Sequence, residues 1–505
     1  MRLRLLNTLG FFILLAAPIR SAPAQAPAAP RSSLLLQAET LLSEGDTVGT
    51  REACGRALSS PGLSESERAH LLFLIASAHA KELDEAPASE RVRELLDSPG
   101  ATPDLKARSH LLIARMLALF GGQNAWNRSM ERLDAALKIQ NLPKTVEVEV
   151  RSLRAEVALQ LRRFDSAHTD FLFLASHGAS ERKTEFHLNA ARALGMSGRP
   201  EEALGILDRL ELAPDDHALL ADVQVLRGIL HYDQNHLEKA RTLFLSVCAL
   251  PGQNPGTAPY REARLRLHLR KLVPESAPCL KVLFIGSSHT QRGNVPLLVE
   301  QLAASAPPNI PRIFAGEKTR MGTGMRAHWN EGDAPDTARG RIAAEAWDAV
   351  VVETFFRNPR EDLAEWTERY LDLTRSKGAR LVVYESPAAK ALPYPGGFRE
   401  FHANNLWLAS RFSVTLAPCM DAWLRILGPT PSEHDFRTLY ADWIHATPEG
   451  AYLSACCIFS ALTGHNPEGL FRPSGISEEK AVSYQRAAWA AYQDSRAQKP
   501  SDQAH

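Results

Sequence analysis

The chain has 505 residues, with 58 Lys+Arg against 58 Asp+Glu and 45% hydrophobic residues. That length exceeds one ordinary hydrophobic core and calls for two or three domains. The balanced charge argues against a nucleic-acid binder, which carries an excess of basic residues.

The first element is a leader. "MRLR" is a short basic segment, "LLNTLGFFILLAAPI" is an apolar run, and "SAPAQA" offers a small-residue cleavage site. The expectation is a signal peptide over 1–24, cut after Ala24, then an Ala/Pro linker over 25–33. The apolar run falls short of the roughly 20 residues that span a bilayer, and no later segment is long and apolar enough. A secreted or periplasmic protein with no transmembrane segment after signal removal is therefore expected. Export permits disulfides. The six cysteines, Cys54, Cys248, Cys279, Cys419, Cys456 and Cys457, are scattered and form no C-x-x-C metal pattern. They read as small buried hydrophobes; one disulfide stays open, with no pair assigned.

From residue 34 to 250 apolar residues recur at i, i+3, i+4 and i+7, the period of helices packed on one face. Internal repeats are visible. "RRFDSA" ends at Ala167, "GRPEEA" at Ala203 and "NHLEKA" at Ala240, in steps of 36 and 37 residues. Each opens the second helix of a pair. "LRAEVALQL", "LNAARALGM" and "LRGILHYDQ" lie in the first helices, and "REACGRAL" and "MERLDAAL" suggest weaker units upstream. The pattern resembles a tetratricopeptide-repeat array. That resemblance implies a superhelix whose concave surface binds a protein or peptide. The cluster "PGQNPGTAP" breaks the pattern at 251–259. "YREARLRLHLRK", with Arg261, Arg264, Arg266, Arg270 and Lys271, reads as a solvated capping segment, so 251–278 is taken as a linker.

After Cys279 strands alternate with helices. "CLKVLFIG", "PRIFAG", "WDAVVVE", "ARLVVYE" and "SVTLAP" read as five strands. The helical stretches between them imply a parallel sheet covered on both faces. This domain is expected over 279–495, followed by a disordered tail at 496–505. Ligands in such sheets bind beyond the carboxyl ends of strands. Three polar patches fall there: "GSSHT" (286–290), "MGTGMRAHWN" (321–330) and "ADWIHATPEGAYLSACCIFSALTG" (441–464). A serine in the first and an Asp-x-x-His in the last supply a nucleophile, a base and an orienting carboxylate. In that logic His445 takes the serine proton and Asp442 fixes the imidazole tautomer. "GSSHTQRGN" lacks the G-x-x-x-x-G-K-[ST] pattern of a phosphate loop. His434 and Asp435 read as a loop pair, too few for a metal site. Neither a metal nor a cofactor is expected.

These blocks, "LFIGSSHT" and "DWIHATPEGAYLSA", resemble the SGNH (GDSL-like) hydrolase superfamily over roughly 280–465, closest to a largely uncharacterised bacterial subgroup. The resemblance implies a flavodoxin-like fold and ester hydrolysis through an acyl-serine. It makes Ser288 the nucleophile, with Asp442 and His445 completing the triad. It places Ser288, Gly324 and Glu353 around the oxyanion hole, with Ser287 at the family's Asn/Asp position. Glu353 departs from the Asn or Gln expected there. An ionised carboxylate only accepts, so it must be protonated, pair with Arg357 or Arg320, or leave the hole to backbone amides. His328 and Trp329 are candidate substrate contacts, and His289 a neighbour of the site. The function expected is an exported esterase removing an O-acyl group from a carbohydrate or cell-envelope polymer. The alternative is a non-catalytic repeat scaffold with a degenerate second domain.

Overall fold

The computed structural model describes residues 33–497 other than 61, 214, 275–277, 391 and 443. The expected signal peptide, nearly all of the linker after it, and residues 498–505 lie outside the described residues. Among those described, no helix is long and apolar enough to cross a membrane. The described chain divides into two compact units, 33–212 and 213–497.

The first unit is helical. Its elements are α1 (Ser33–Glu44), α2 (Thr47–Leu58), α3 (Glu65–Lys81), α4 (Glu85–Asp97), α5 (Pro103–Phe120), α6 (Gln123–Leu137), α7 (Lys144–Gln160), α8 (Phe164–His177), α9 (Lys183–Met196) and α10 (Pro200–Leu207). The helices pack in successive pairs joined by turns so short that the partners run antiparallel. A local device recurs in those turns. Leu83, Arg162 and Gly198 each take a left-handed conformation, with φ of 60°, 57° and 81°. In each case the next amide reaches back to a carbonyl of the helix: Asp84 to His79, Arg163 to Ala158, Arg199 to Leu194. This closes the orphan carbonyls of the first helix and reverses the chain. The alanines that end the sequence motifs, Ala167 and Ala203, are fully buried and let the partner helices approach.

The second unit opens with α11 (His217–Asp233), α12 (Leu237–Ala249) and α13 (Ala258–Leu269). The same turn follows α11 at Asn235 (φ 60°) and α13 at Lys271 (φ 52°). Thus α13 is shaped like the first helix of a further pair whose second member is replaced by the sheet. This revises the reading of 251–278 as a linker with a solvated cap. Leu265 and Leu269 are buried in the sheet's own core. Arg270 and Lys271 are exposed, but the arginines within the helix are partly buried. Arg261 pairs with Glu300 and Glu317, and Arg266 with Glu262 at 2.8 Å and Glu345 at 2.9 Å.

The sheet has strands β1 (Cys279–Gly286), β2 (Arg312–Thr319), β3 (Ala349–Thr354), β4 (Arg380–Glu385) and β5 (Thr415–Ala417). All pairs are parallel, in the order β2-β1-β3-β4-β5. The two-residue period of a strand divides its side chains between two cores. Val282, Phe284, Val351, Val382 and Tyr384 face one core, covered by α15 (Val295–Ser305), α20 (Cys419–Leu427), α22 (Pro448–Thr463) and α23 (Glu478–Ala497). Leu283, Ile285, Val350, Val352 and Val383 face the other, covered by α13, α17 (Ala338–Ala344) and α18 (Arg360–Ser376). Helix α19 (Gly396–Phe412) follows β4. The six cysteines are free thiols. Burial pushes that of Cys54 up to about 12.

Candidate active site

The strand order reverses between β1 and β3, so the loops after these strands diverge and leave room at their carboxyl ends. Ser288 sits there. Strand β1 ends at Gly286, Ser287 caps a five-residue helix, α14 (Ser288–Arg292), and Ser288 is its first residue. A Cβ on Gly286 would meet Thr290 Oγ1 at 2.2 Å and Glu353 Oε2 at 2.6 Å. Only glycine lets the chain turn so tightly at this point.

Asp442 and His445 come from the other end of the sequence on a small closed loop. Ala441 N donates to His445 O and Thr447 N to Leu439 O, both at 2.8 Å. Thr447 then caps α22, with Pro448 in its first turn. This helix is pressed against the start of α15: a Cβ on Gly293 would lie 2.3 Å from that of Ala451. The close approach delivers the loop to the turn that carries Ser288.

The three residues stand in line. His445 Nε2 is 3.0 Å from Ser288 Oγ, and His445 Nδ1 is 2.7 Å from Asp442 Oδ2. The other carboxylate oxygen accepts from the amides of Ile444 (2.9 Å) and His445 (2.8 Å). Burial disfavours the charge on Asp442, but the hydrogen bonds from His445 and the two amides outweigh it. They hold the carboxyl well below its usual range.

Glu353, at the end of β3, is 4% exposed. Its Oε2 accepts from the amides of Ser287 (2.8 Å) and Thr290 (3.3 Å) and from Thr290 Oγ1 (2.6 Å). Its Oε1 accepts from Ser287 Oγ at 2.5 Å. Burial raises its pKa against the pull of those donors. The sequence-based placement of Glu353 as an oxyanion donor is therefore corrected. Both oxygens are turned to the loop that carries Ser288, and among the described residues neither Arg357 nor Arg320 pairs with them. Among the described residues, the amides of Ser288 and Gly324 donate to no backbone carbonyl. Gly324 is exposed and caps α16 (Met325–Trp329) in extended conformation, so its N–H remains available at the loop after β2.

The two candidate substrate contacts are also corrected. His328 is fully buried, and its Nε2 lies 2.9 Å from Gly286 O. Burial lowers its pKa to about 4, so the neutral ring donates to that carbonyl and ties α16 to β1. Trp329 is half-buried and packs edge-on to Tyr370 (5.1 Å) and beside Trp366, against the core under α18. His434 and Asp435 lie in a short helix, where Asp435 forms a capping box with Ser432. One expected neighbour of the site, His289, is found there, and a second, Arg292, went unassigned in the sequence. His289 is 3% exposed and sits 5.6 Å from the His445 ring, with its pKa lowered to about 3 by burial and by that neighbour. Arg292, one helical turn after Ser288, reaches Asp442 and His445. The i,i+4 spacing was the available clue, since it puts residues 288 and 292 on one helix face. Among the described residues, no group of three or more potential metal ligands gathers.

No protein-family model matches the chain, and no curated protein matches it. Among solved structures, a DUF4886 family protein from Bacteroides uniformis is similar at 19% identity over 42% of this chain and 94% of its own, with a TM-score of 0.34. Pseudomonas aeruginosa pilF is similar at 18% identity over 46% of this chain and 95% of its own, with a TM-score of 0.31. A tetratricopeptide repeat protein from Parabacteroides merdae follows at 16% identity, 46% and 97% coverage and a TM-score of 0.22. At these scores the likenesses carry no argument about activity.

Proposed function

We propose that the unit spanning 213–497 is a serine hydrolase of the SGNH type, with a flavodoxin-like sheet. We take it to be an esterase that removes an O-acyl group from a carbohydrate or cell-envelope polymer. The observation that carries the reading is the line Ser288 Oγ, His445 Nε2, His445 Nδ1, Asp442 Oδ2, with steps of 3.0 and 2.7 Å. In this mechanism Asp442 holds the proton on Nδ1, so that Nε2 takes the proton of Ser288 as its oxygen attacks the ester carbonyl. The amides of Ser288 and Gly324 are the donors offered to the developing oxyanion, which suits a site whose Glu353 is an acceptor. His445 then returns the proton to the departing alcohol. Water, activated by the same imidazole, releases the acyl group. The strand order β2-β1-β3-β4-β5 supports the flavodoxin-like assignment.

The paired helices of 33–212 are proposed to bind a protein or peptide partner, because stacked helical pairs present an extended surface suited to that task. Export to the periplasm or beyond rests on the leader sequence alone.

The test is labelling of the intact chain with a fluorophosphonate, read by mass. One adduct is expected on the wild type and none on Ser288→Ala or His445→Ala. A folded wild type that takes no adduct would count against the esterase reading and leave the repeat scaffold as the better description.

A further inference from the structure

The loop after β2 carries Gly324, and both of its ends are tied to one atom. Arg320 N, at 3.1 Å, and His328 Nε2, at 2.9 Å, donate to the carbonyl of Gly286, just ahead of Ser288 in the chain. Between those ties buried and exposed residues alternate. Met321, Thr323 and Met325 are buried, whereas Gly322 and Gly324 are exposed. Gly322 makes the turn in a left-handed conformation, with φ of 62°. A Cβ built on Gly324 would meet nothing within 4 Å, so the space beside this residue is open. With no packing of its own, the Gly324 amide takes its direction from the residue before it.

That residue is Thr323, 2% exposed. Its amide donates to Arg320 O at 3.2 Å. Its hydroxyl accepts from Arg320 Nε at 3.0 Å and donates to Met321 O at 3.2 Å. The guanidinium is braced in turn. Arg320 Nη2 lies 3.2 Å from Glu331 Oε1, and the other oxygen of Glu331 lies 2.8 Å from Lys318 Nζ. The Arg320 and Glu331 side chains are only 10% and 5% exposed. Desolvating such charges is costly, and an apolar plug could fill the same space as stably. What the charges add is direction, because a guanidinium is a rigid fork that aligns two acceptors at once.

We propose that Thr323 and Arg320 are positioning residues of the oxyanion hole: braced by Glu331, they aim the Gly324 amide at the oxygen of the scissile carbonyl. This rests on the esterase reading above. All three side chains act through Gly324, and Arg320 thereby has a task other than neutralising Glu353.

The test must separate aim from stability. The substrates are para-nitrophenyl acetate and its thionoester, which differ only in the atom that meets the oxyanion hole. Sulfur is the weaker acceptor, so a well-aimed amide favours the oxygen ester. A partly unfolded sample slows both substrates alike and leaves the ratio of their rates unchanged. Thr323→Val matches threonine in size but lacks the hydroxyl. It should lower kcat for the oxygen ester by about 10²-fold with KM little changed, the pattern of a lost transition-state donor. The thionoester should lose less, so the ratio falls. Thr323→Ser, which keeps the hydroxyl, should recover most of the ratio. Glu331→Gln, which weakens the brace at a distance, should lower it in the same direction. A wild-type ratio in Thr323→Val or in folded Glu331→Gln overturns the proposal, as does a serine variant no better than the valine one. A wild type inert to fluorophosphonate and to both esters refutes the esterase reading and this proposal with it, whereas an active wild type whose ratio resists these substitutions overturns the proposal alone.

Discussion

Glu353 receives two amide and two hydroxyl donors from the turn that carries Ser288, so its carboxyl organises that turn. Glu353→Ala leaves these buried donors unpaired, and each orphaned group costs about 1–3 kcal/mol. The expected result is a loss of several kcal/mol in urea unfolding of residues 213–505, with slower fluorophosphonate labelling. Glu353→Gln keeps the shape and one carbonyl acceptor for the two amides. It should cost only about 1 kcal/mol and bring no gain in labelling rate. A gain of ~10²-fold in that variant would mean that position 353 does face the oxyanion. Asp442 makes a second prediction. Because the imidazole and amide donors hold it ionised well below the usual carboxylate range, it does not titrate as the pH falls through mild acid. The acid limb of kcat/KM should then carry no proton from this carboxyl. Asp442→Asn should lower kcat by ~10³–10⁴, as in other triads where the tautomer is lost. A two-proton acid limb in wild type would contradict this assignment.

Helix α13 carries the argument at the scale of elements. Leu265 is fully buried on the sheet, and its side chain lies 3.1 Å from the place where a Cβ on Gly316 would be. The missing side chain of Gly316 is what lets α13 lie against β2. Leu265→Ala should cost about 2–5 kcal/mol, the range for emptying a leucine site in a packed core. A chain that begins at residue 279 exposes this face and should aggregate, whereas one that begins at 213 should stay monomeric in light scattering. Equal behaviour of the two would show that α13 is dispensable. The sequence hid this element for a physical reason. Its three arginines, with Arg270 and Lys271 just after it, look like a solvated face, and only tertiary structure reveals that Glu300, Glu317 and Glu345 wait for Arg261 and Arg266. The helix reversals were masked in another way. Glycine or asparagine advertises a left-handed turn, but at Leu83, Arg162 and Lys271 other residues adopt it. Ser288, Asp442 and His445 were legible because their spacing and the flanking glycine, threonine and proline are local. The role of Glu353 was not, because it depends on which way a side chain at the end of β3 turns.

Over the whole molecule, acid should act through histidines that fold neutral. His289 titrates at about 3 and His328 at about 4 in the folded chain, both lowered first by burial. An exposed histidine in the unfolded chain titrates near 6.5. Between those limits the unfolded state binds more protons than the folded one. Stability therefore falls as the pH drops below about 6.5, by up to about 1.4 kcal/mol per pH unit for each such group. Paired His402 works in the opposite sense. Burial lowers its pKa, but the charge of Glu385, 3.0 Å away, outweighs that and raises it, so its contribution is present at low pH and fades as the pH rises. A comparison with a variant isolates one group from the rest. His289→Phe fills the same space beside Phe355 and removes a titrating ring. Urea unfolding of residues 213–505 should show the variant gaining on wild type as the pH is lowered from 6.5 to 4.5. The gain should approach about 1.4 kcal/mol per unit and be absent at pH 8. A difference that stays constant with pH would mean that His289 is hydrated or charged in the folded state. The desolvated environment assigned to the back of the active site would then be wrong.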